Sequence, residues 1–111
     1  VSNIRKVTEI FSVSEQVLPS QMEKIAELGF KTIIDNRPDG ESFDQPNFVE
    51  IECAAQKLGL KAIYIPVVNG QPTEAAAKDL KAALGDTPTP VLAYCRSGGR
   101  SMALWTQAME S

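Results

Sequence analysis

The segment from Val91 to Ser101 leaves few architectures open. The apolar run Val91-Leu92-Ala93-Tyr94 passes through Cys95-Arg96-Ser97-Gly98-Gly99 into a helical pattern that carries Met102, Leu104, Trp105 and Met109. A buried strand that turns straight into a helix belongs to α/β architecture, where the helix returns the chain to a parallel neighbour. Upstream the same alternation repeats. Ile10 to Val13 reads as a short edge strand, and a helix follows from about Pro19, with Met22, Ile25, Ala26 and Leu28 on one face and Gly29 as its stop. The β-branched run from Phe30 to Ile34 predicts a buried strand that ends at Asp35-Asn36-Arg37 and turns at Pro38-Asp39-Gly40. A second helix is expected from about Pro46, with Phe48, Ile51, Ala55 and Leu58 inward and Gly59 closing it. Ala62 to Ile65 is the next strand, broken by Pro66, and Thr73 caps a helix through Leu84 and Gly85. The prediction is one three-layer domain over residues 1–111, with a largely parallel central sheet flanked by helices. In such sheets ligands sit beyond the carboxyl ends of the strands, where loops 35–45, 66–72 and 95–100 should meet.

Charge and length narrow the partners. A net charge of −3 over 111 residues argues against a nucleic-acid binder, which would show a basic face. No apolar run approaches the roughly 20 residues that span a bilayer, so no membrane partner is expected. A small anionic or phosphorylated ligand stays open, because a few cations and backbone N–H groups suffice to hold one. The chain has no histidine, which removes Ser-His-Asp and Cys-His mechanisms and any histidine-based zinc site. Neither a metal nor an organic cofactor is implied. Of the two cysteines, Cys53 beside Ala54 and Ala55 reads as a small buried hydrophobe. A Cys53–Cys95 disulfide would consume the better nucleophile, so both thiols are expected free.

The chemistry is expected in Tyr94-Cys95-Arg96-Ser97-Gly98-Gly99-Arg100-Ser101. A cysteine between a strand and a helix faces the positive end of the helix dipole and a ring of backbone N–H groups. Both lower a thiol pKa, so Cys95 can be a thiolate without an imidazole. Arg96, Ser97, Gly98 and Gly99 would supply the substrate-binding loop, the glycines easing its sterics. Arg100 can return a planar fork to two oxygens of an oxyanion, and Ser101 can hydrogen-bond the sulfur. The Gly-Lys-Ser/Thr and G-x-G-x-x-G patterns of nucleotide loops are missing.

The chain resembles the phosphatase-like domain of the bacterial beta-lactamase hydrolase-like proteins, related in fold to dual-specificity protein tyrosine phosphatases. The resemblance is carried by Gln16 with Leu18-Pro19, by Leu28 to Ile34, by Asn36-Arg37-Pro38-Asp39-Gly40-Glu41, by Tyr64 to Val67, and by Pro90 to Ser101 with Leu104-Trp105. It implies a dual-specificity-phosphatase-like fold, Cys95 as nucleophile and Arg100 as the arginine that holds phosphate. It also implies a fusion or operon partner in sulfur metabolism. Tyrosine phosphatases place a histidine before the cysteine and five residues between it and the arginine. Here Tyr94 precedes Cys95, and 96 to 99 are the only residues between.

Such phosphatases also carry an aspartic acid in the loop after the preceding strand, to protonate the leaving oxygen. Asn69 stands at that position, and Asp39, Glu41 and Glu74 are the candidate substitutes. Asp35 divides between structural and site roles, and Arg37 between lining the site and pairing with Glu41. The expected activity is phosphomonoester hydrolysis, phosphotyrosine included, through a cysteinyl-phosphate. Two alternatives stand beside it. One is a rhodanese-like sulfurtransferase with a Cys95 persulfide, which the short loop and Asp35-Asn36-Arg37 suit; the other is a non-catalytic oxyanion-binding module. Free thiols point to the cytoplasm. The first residue is Val1, as trimming of a signal peptide, tag or fused domain would leave it.

Overall fold

A computed structural model describes residues 3–68 and 72–110. The strands are β1 (Arg5–Thr8), β2 (Phe11–Ser14), β3 (Thr32–Asp35), β4 (Lys61–Tyr64) and β5 (Val91–Tyr94). The helices are α1 (Met22–Glu27), α2 (Phe48–Lys57), α3 (Glu74–Asp86) and α4 (Gly99–Glu110). One sheet runs in the order β1-β2-β5-β3-β4. All pairs are parallel except β1 with β2.

Strand periodicity builds the three layers. Ile34, Val91, Ala93, Phe11 and Val13 point to the side packed by Ala76, Ala77 and Leu80 of α3 and by Leu104 and Ala108 of α4. Their neighbours Ile33, Leu92 and Tyr94 point the other way, onto Met22 and Ile25 of α1 and Ile51 and Ala55 of α2. Local signals fix the helix ends. Asn47 and Glu50 form a reciprocal capping box at α2, with the Asn47 N–H donating to Glu50 Oε2 at 2.7 Å. Thr73 Oγ1 accepts from Ala76 N at 3.0 Å at the start of α3.

Four expectations need correction. The strand at Ile10 to Val13 is an interior strand, because Arg5–Thr8 forms an additional edge outside it. That edge opens on the exposed Arg5 and Lys6, as edge strands do, and its composition hid it. The strand expected at 30–34 is shifted to include Asp35, whose carboxylate is therefore buried. Cys53 is exposed, not core: it lies two residues from both Ile51 and Ala55, and two helical positions turn a side chain to the opposite face. Leu58, expected inward, is likewise exposed at the end of α2.

Candidate active site

Register brings the site together. Ser14 pairs with Tyr94, Tyr94 with Asp35 and Asp35 with Tyr64, so four parallel strands end at one level. The loops beyond them enclose a cleft of about 1210 Å³, lined by residues of the expected segments 35–45, 66–72 and 95–100. Gln16 and Leu18, after β2, add a wall that the sequence reading did not assign.

Cys95 lies at the floor, fully buried, and no disulfide engages it. Burial opposes its ionisation, but the backbone N–H groups of Ser101, Ser97, Gly98 and Arg100 turn inward and outweigh it, holding the thiol below its ordinary range. Gly98 N stands 3.0 Å from the sulfur. The ring extends beyond the loop to Ser101 in α4, while the Gly99 N–H turns to Ser97 Oγ at 3.3 Å. At Gly98 the backbone conformation disfavours a side chain. Its φ is +96°, and a Cβ would stand 2.6 Å from Arg5 Nη2 and 3.4 Å from the Ser14 backbone.

Ser101 reaches the sulfur through its main chain. Its hydroxyl donates to Asn36 Oδ1 at 2.8 Å, and Asn36 Nδ2 in turn donates to the Ile65 carbonyl at 2.8 Å. Asn36 N also donates to the Tyr94 carbonyl at 2.8 Å, so one buried asparagine ties the ends of β3, β4 and β5 to α4. Sequence reading used Asn36 only as part of a motif; a buried amide at a strand end was the available signal.

Arg100 is held from one end. Nη1 donates to Glu41 Oε2 at 2.7 Å and to the Val67 carbonyl at 2.9 Å, and Nη2 donates to Glu41 Oε1 at 2.8 Å. A guanidinium carries five N–H donors. The ones not taken by Glu41 or Val67 are Nε–H and the second Nη2 proton, which project side by side as a fork, and Arg100 also acts on Cys95 by charge and by a side-chain hydrogen bond. Arg37 resolves both of its expected roles, since it lines the cleft and pairs with Glu41. Its Nε stands 3.1 Å from Glu41 Oε1, and Nη1 donates to Gln16 Oε1 at 3.0 Å.

The expected acids separate. Glu41 is placed in the site, but the Arg100 hydrogen bonds, with Arg37 adding, hold its carboxyl below the usual range against some burial. Asp39 caps α2, its Oδ1 accepting from Phe48 N at 2.8 Å, and Glu74 sits in the first turn of α3; neither lines the cleft. Asn69 lies outside the described residues. Asp35 is buried beneath the loop. Burial raises its pKa from 3.8 to about 7, although Oδ1 accepts from Arg37 N at 2.7 Å. Asp44 lines the cleft and sequence reading passed over it, as it did the fully exposed Phe43. An aromatic ring inside the polar run Glu41-Ser42-Phe43-Asp44-Gln45 was the signal there. No group of His, Cys, Asp and Glu among the described residues could hold a metal ion.

The family model for the phosphatase-like domain of beta-lactamase hydrolase-like proteins matches residues 3–110. A beta-lactamase hydrolase-like protein of Xylella fastidiosa is 32% identical over 99 residues, covering 89% of this chain and 23% of the relative. The chain thus spans about a quarter of the curated relatives it matches. A structure described as a candidate phosphatase from Neisseria meningitidis superposes with a TM-score of 0.87 at 36% identity, over 97% of this chain and 78% of that one. Tk-PTP superposes with a TM-score of 0.75 at 16% identity, over 96% of this chain and 70% of that one, which shows the fold.

Proposed function

This chain belongs to the phosphatase-like domain family of the beta-lactamase hydrolase-like proteins, and from that premise we propose that it hydrolyses phosphomonoesters through a cysteinyl-phosphate on Cys95. One observation carries the reading: the N–H groups of 97, 98, 100 and 101 surround the sulfur, and the Arg100 guanidinium, held at Glu41 and the Val67 carbonyl, acts on it by charge and by a side-chain hydrogen bond. The thiolate attacks phosphorus in line with the leaving oxygen. The Arg100 fork and the loop N–H groups stabilise the equatorial oxygens as charge builds on them. Glu41 acts here as the group that places Arg100. The open cleft above the floor accommodates an ester larger than phosphate itself.

The test is mass spectrometry of the intact protein after exposure to an aryl phosphate and, separately, to thiosulfate. The expected result is turnover of the aryl phosphate with a phosphoryl adduct on Cys95, and at least about a thousandfold loss in Cys95→Ser. A persulfide on Cys95 with no aryl-phosphate turnover overturns the proposal in favour of sulfur transfer. Phosphate binding without either reaction overturns it in favour of an oxyanion-binding module.

A further inference from the structure

A thiolate and an arginine can begin phosphoryl transfer, but an ester with a basic leaving group also needs a proton at the departing oxygen. Among the described residues, Glu41 and Asp44 are the carboxylates that line the cleft. Glu41 is engaged on both oxygens by Arg100 and on one also by Arg37. Asp44 is exposed and forms no ion pair among the described residues, and the Ser42 hydroxyl donates to its Oδ1. It hangs from the loop after β3, on a cleft it shares with Arg96, Ser97, Gly99 and Arg100.

We propose that Asp44 is the general acid and base of this site, delivered from the loop after β3 and not from the loop that carries Asn69. The proposal rests on the phosphatase reading above. In the first step the Sγ–P bond forms as the ester P–O bond breaks, and the departing oxygen takes its electron pair and the Asp44 proton. In the second, Asp44 accepts a proton from the water that attacks phosphorus. The S–P bond then breaks, returning the thiolate, releasing phosphate and leaving Asp44 protonated again. The groups facing Asp44 are the Ser42 hydroxyl and the Arg37 and Arg96 guanidinium groups. The Ser42 hydrogen bond first, then one from its own backbone N–H, then those charges, keep its pKa low in the free site. A bound phosphate dianion acts in the opposite direction.

The experiment compares kcat/KM for phenyl phosphate and p-nitrophenyl phosphate in the wild type, Asp44→Asn and Asp44→Glu, with Glu74→Gln as the surface control. p-Nitrophenolate leaves without a proton, and phenolate does not leave readily. Asp44→Asn should lose about 100-fold or more on phenyl phosphate and less than about fivefold on p-nitrophenyl phosphate. Asp44→Glu should recover part of the loss, and Glu74→Gln should match the wild type on both substrates. In the wild type, kcat/KM for phenyl phosphate should fall as pH rises through the Asp44 titration, and Asp44→Asn should flatten that limb. Equal losses on both substrates, or none, overturn the assignment while leaving the phosphatase reading intact. A wild type that turns over neither ester overturns both, so the two failures are distinguishable.

Discussion

The floor and the wall of the cleft use different chemistry. The floor, residues 95–101, acts through its main chain: N–H groups surround the sulfur, and the side chains of Arg96 and Ser97 stay exposed. The wall, residues 37–46, acts through side chains, with Arg37, Glu41, Asp44 and Gln45 all facing the cleft. A floor built from backbone is set by loop length and by where glycine falls. A wall built from side chains can change residue by residue on the same scaffold. Fold and nucleophile therefore depend on the first region, and substrate choice and proton delivery on the second.

The sharpest way to break this division is at Arg100, whose backbone N–H belongs to the floor and whose guanidinium is held by the wall. Arg100→Lys keeps the charge and removes the planar fork, and should lower kcat/KM on an aryl phosphate by about 100- to 1,000-fold. Glu41→Gln keeps one acceptor oxygen and should cost less, about 10- to 100-fold, because it misplaces the fork without deleting it. Equal effects would mean that Glu41 is as much a part of the reaction as Arg100, and the division would fail. Steady-state kinetics on the two variants decides it.

A smaller effect separates the two glycines of the floor. Gly98→Ala forces a side chain onto a residue at φ +96° against the Ser14 backbone, and should destabilise the protein by about 1–2 kcal/mol. Gly99 begins α4 without a positive φ, so Gly99→Ala should stay within about 0.5 kcal/mol of the wild type. Urea unfolding of both variants is the measurement. If Gly99→Ala proves the more harmful, the backbone account of the floor is wrong.

The floor was legible in the sequence because its signals are local. Val91 to Tyr94 announces a buried strand, Gly98-Gly99 a turn into a helix, and Cys95 the residue placed at that junction. Helices α2, α3 and α4 were placed to within about two residues by their caps and glycines, whereas α1 starts at Met22, three residues after the expected Pro19, because Pro19–Gln21 forms a tighter 3-10 turn. The wall was legible only in part, because its meaning lies in pairings across the fold. Glu41 read both as a candidate acid and as a partner for Arg37, and only its proximity to Arg100, fifty-nine positions away, shows which chemistry its carboxylate is committed to. Asp44 sits in a polar loop where a carboxylate is unremarkable by sequence. β1 was missed because an edge strand needs only one partner and carries charge on its exposed side. Cys53 was misplaced because neighbouring alanines suggested burial on a helix whose apolar stripe passes through Ile51 and Ala55.

Floor and wall meet at Asp35 and Tyr94. These residues are register partners, Asp35 Oδ1 accepts the Arg37 N–H at the start of the wall, and Tyr94 leads directly into Cys95. Burial raises the Asp35 pKa to about 7 against the Arg37 N–H and the Tyr94 hydroxyl, and the buried Tyr94 hydroxyl has its own pKa raised by burial and by the neighbouring Asp35 carboxylate. The sign follows from linkage. Native Asp35 holds its proton up to about pH 7, whereas unfolded Asp35 loses it near 3.8. The native state therefore binds more protons across that window, and its stability falls as pH rises, by at most about 1.4 kcal/mol per pH unit, levelling above about 7. Glu41 acts in a separate window: its lowered pKa adds stability that is present above 4.5 and lost as pH falls. Asp35→Asn keeps an oxygen for the Arg37 N–H and removes the titration, so its unfolding free energy should lose the decline between about pH 4 and 7 that the wild type shows. Denaturant unfolding at intervals across that range reads the slope directly. An unchanged slope would mean that Asp35 is ionised in the native protein at neutral pH, and that the joint between floor and wall is held by a charge and not by a protonated carboxyl.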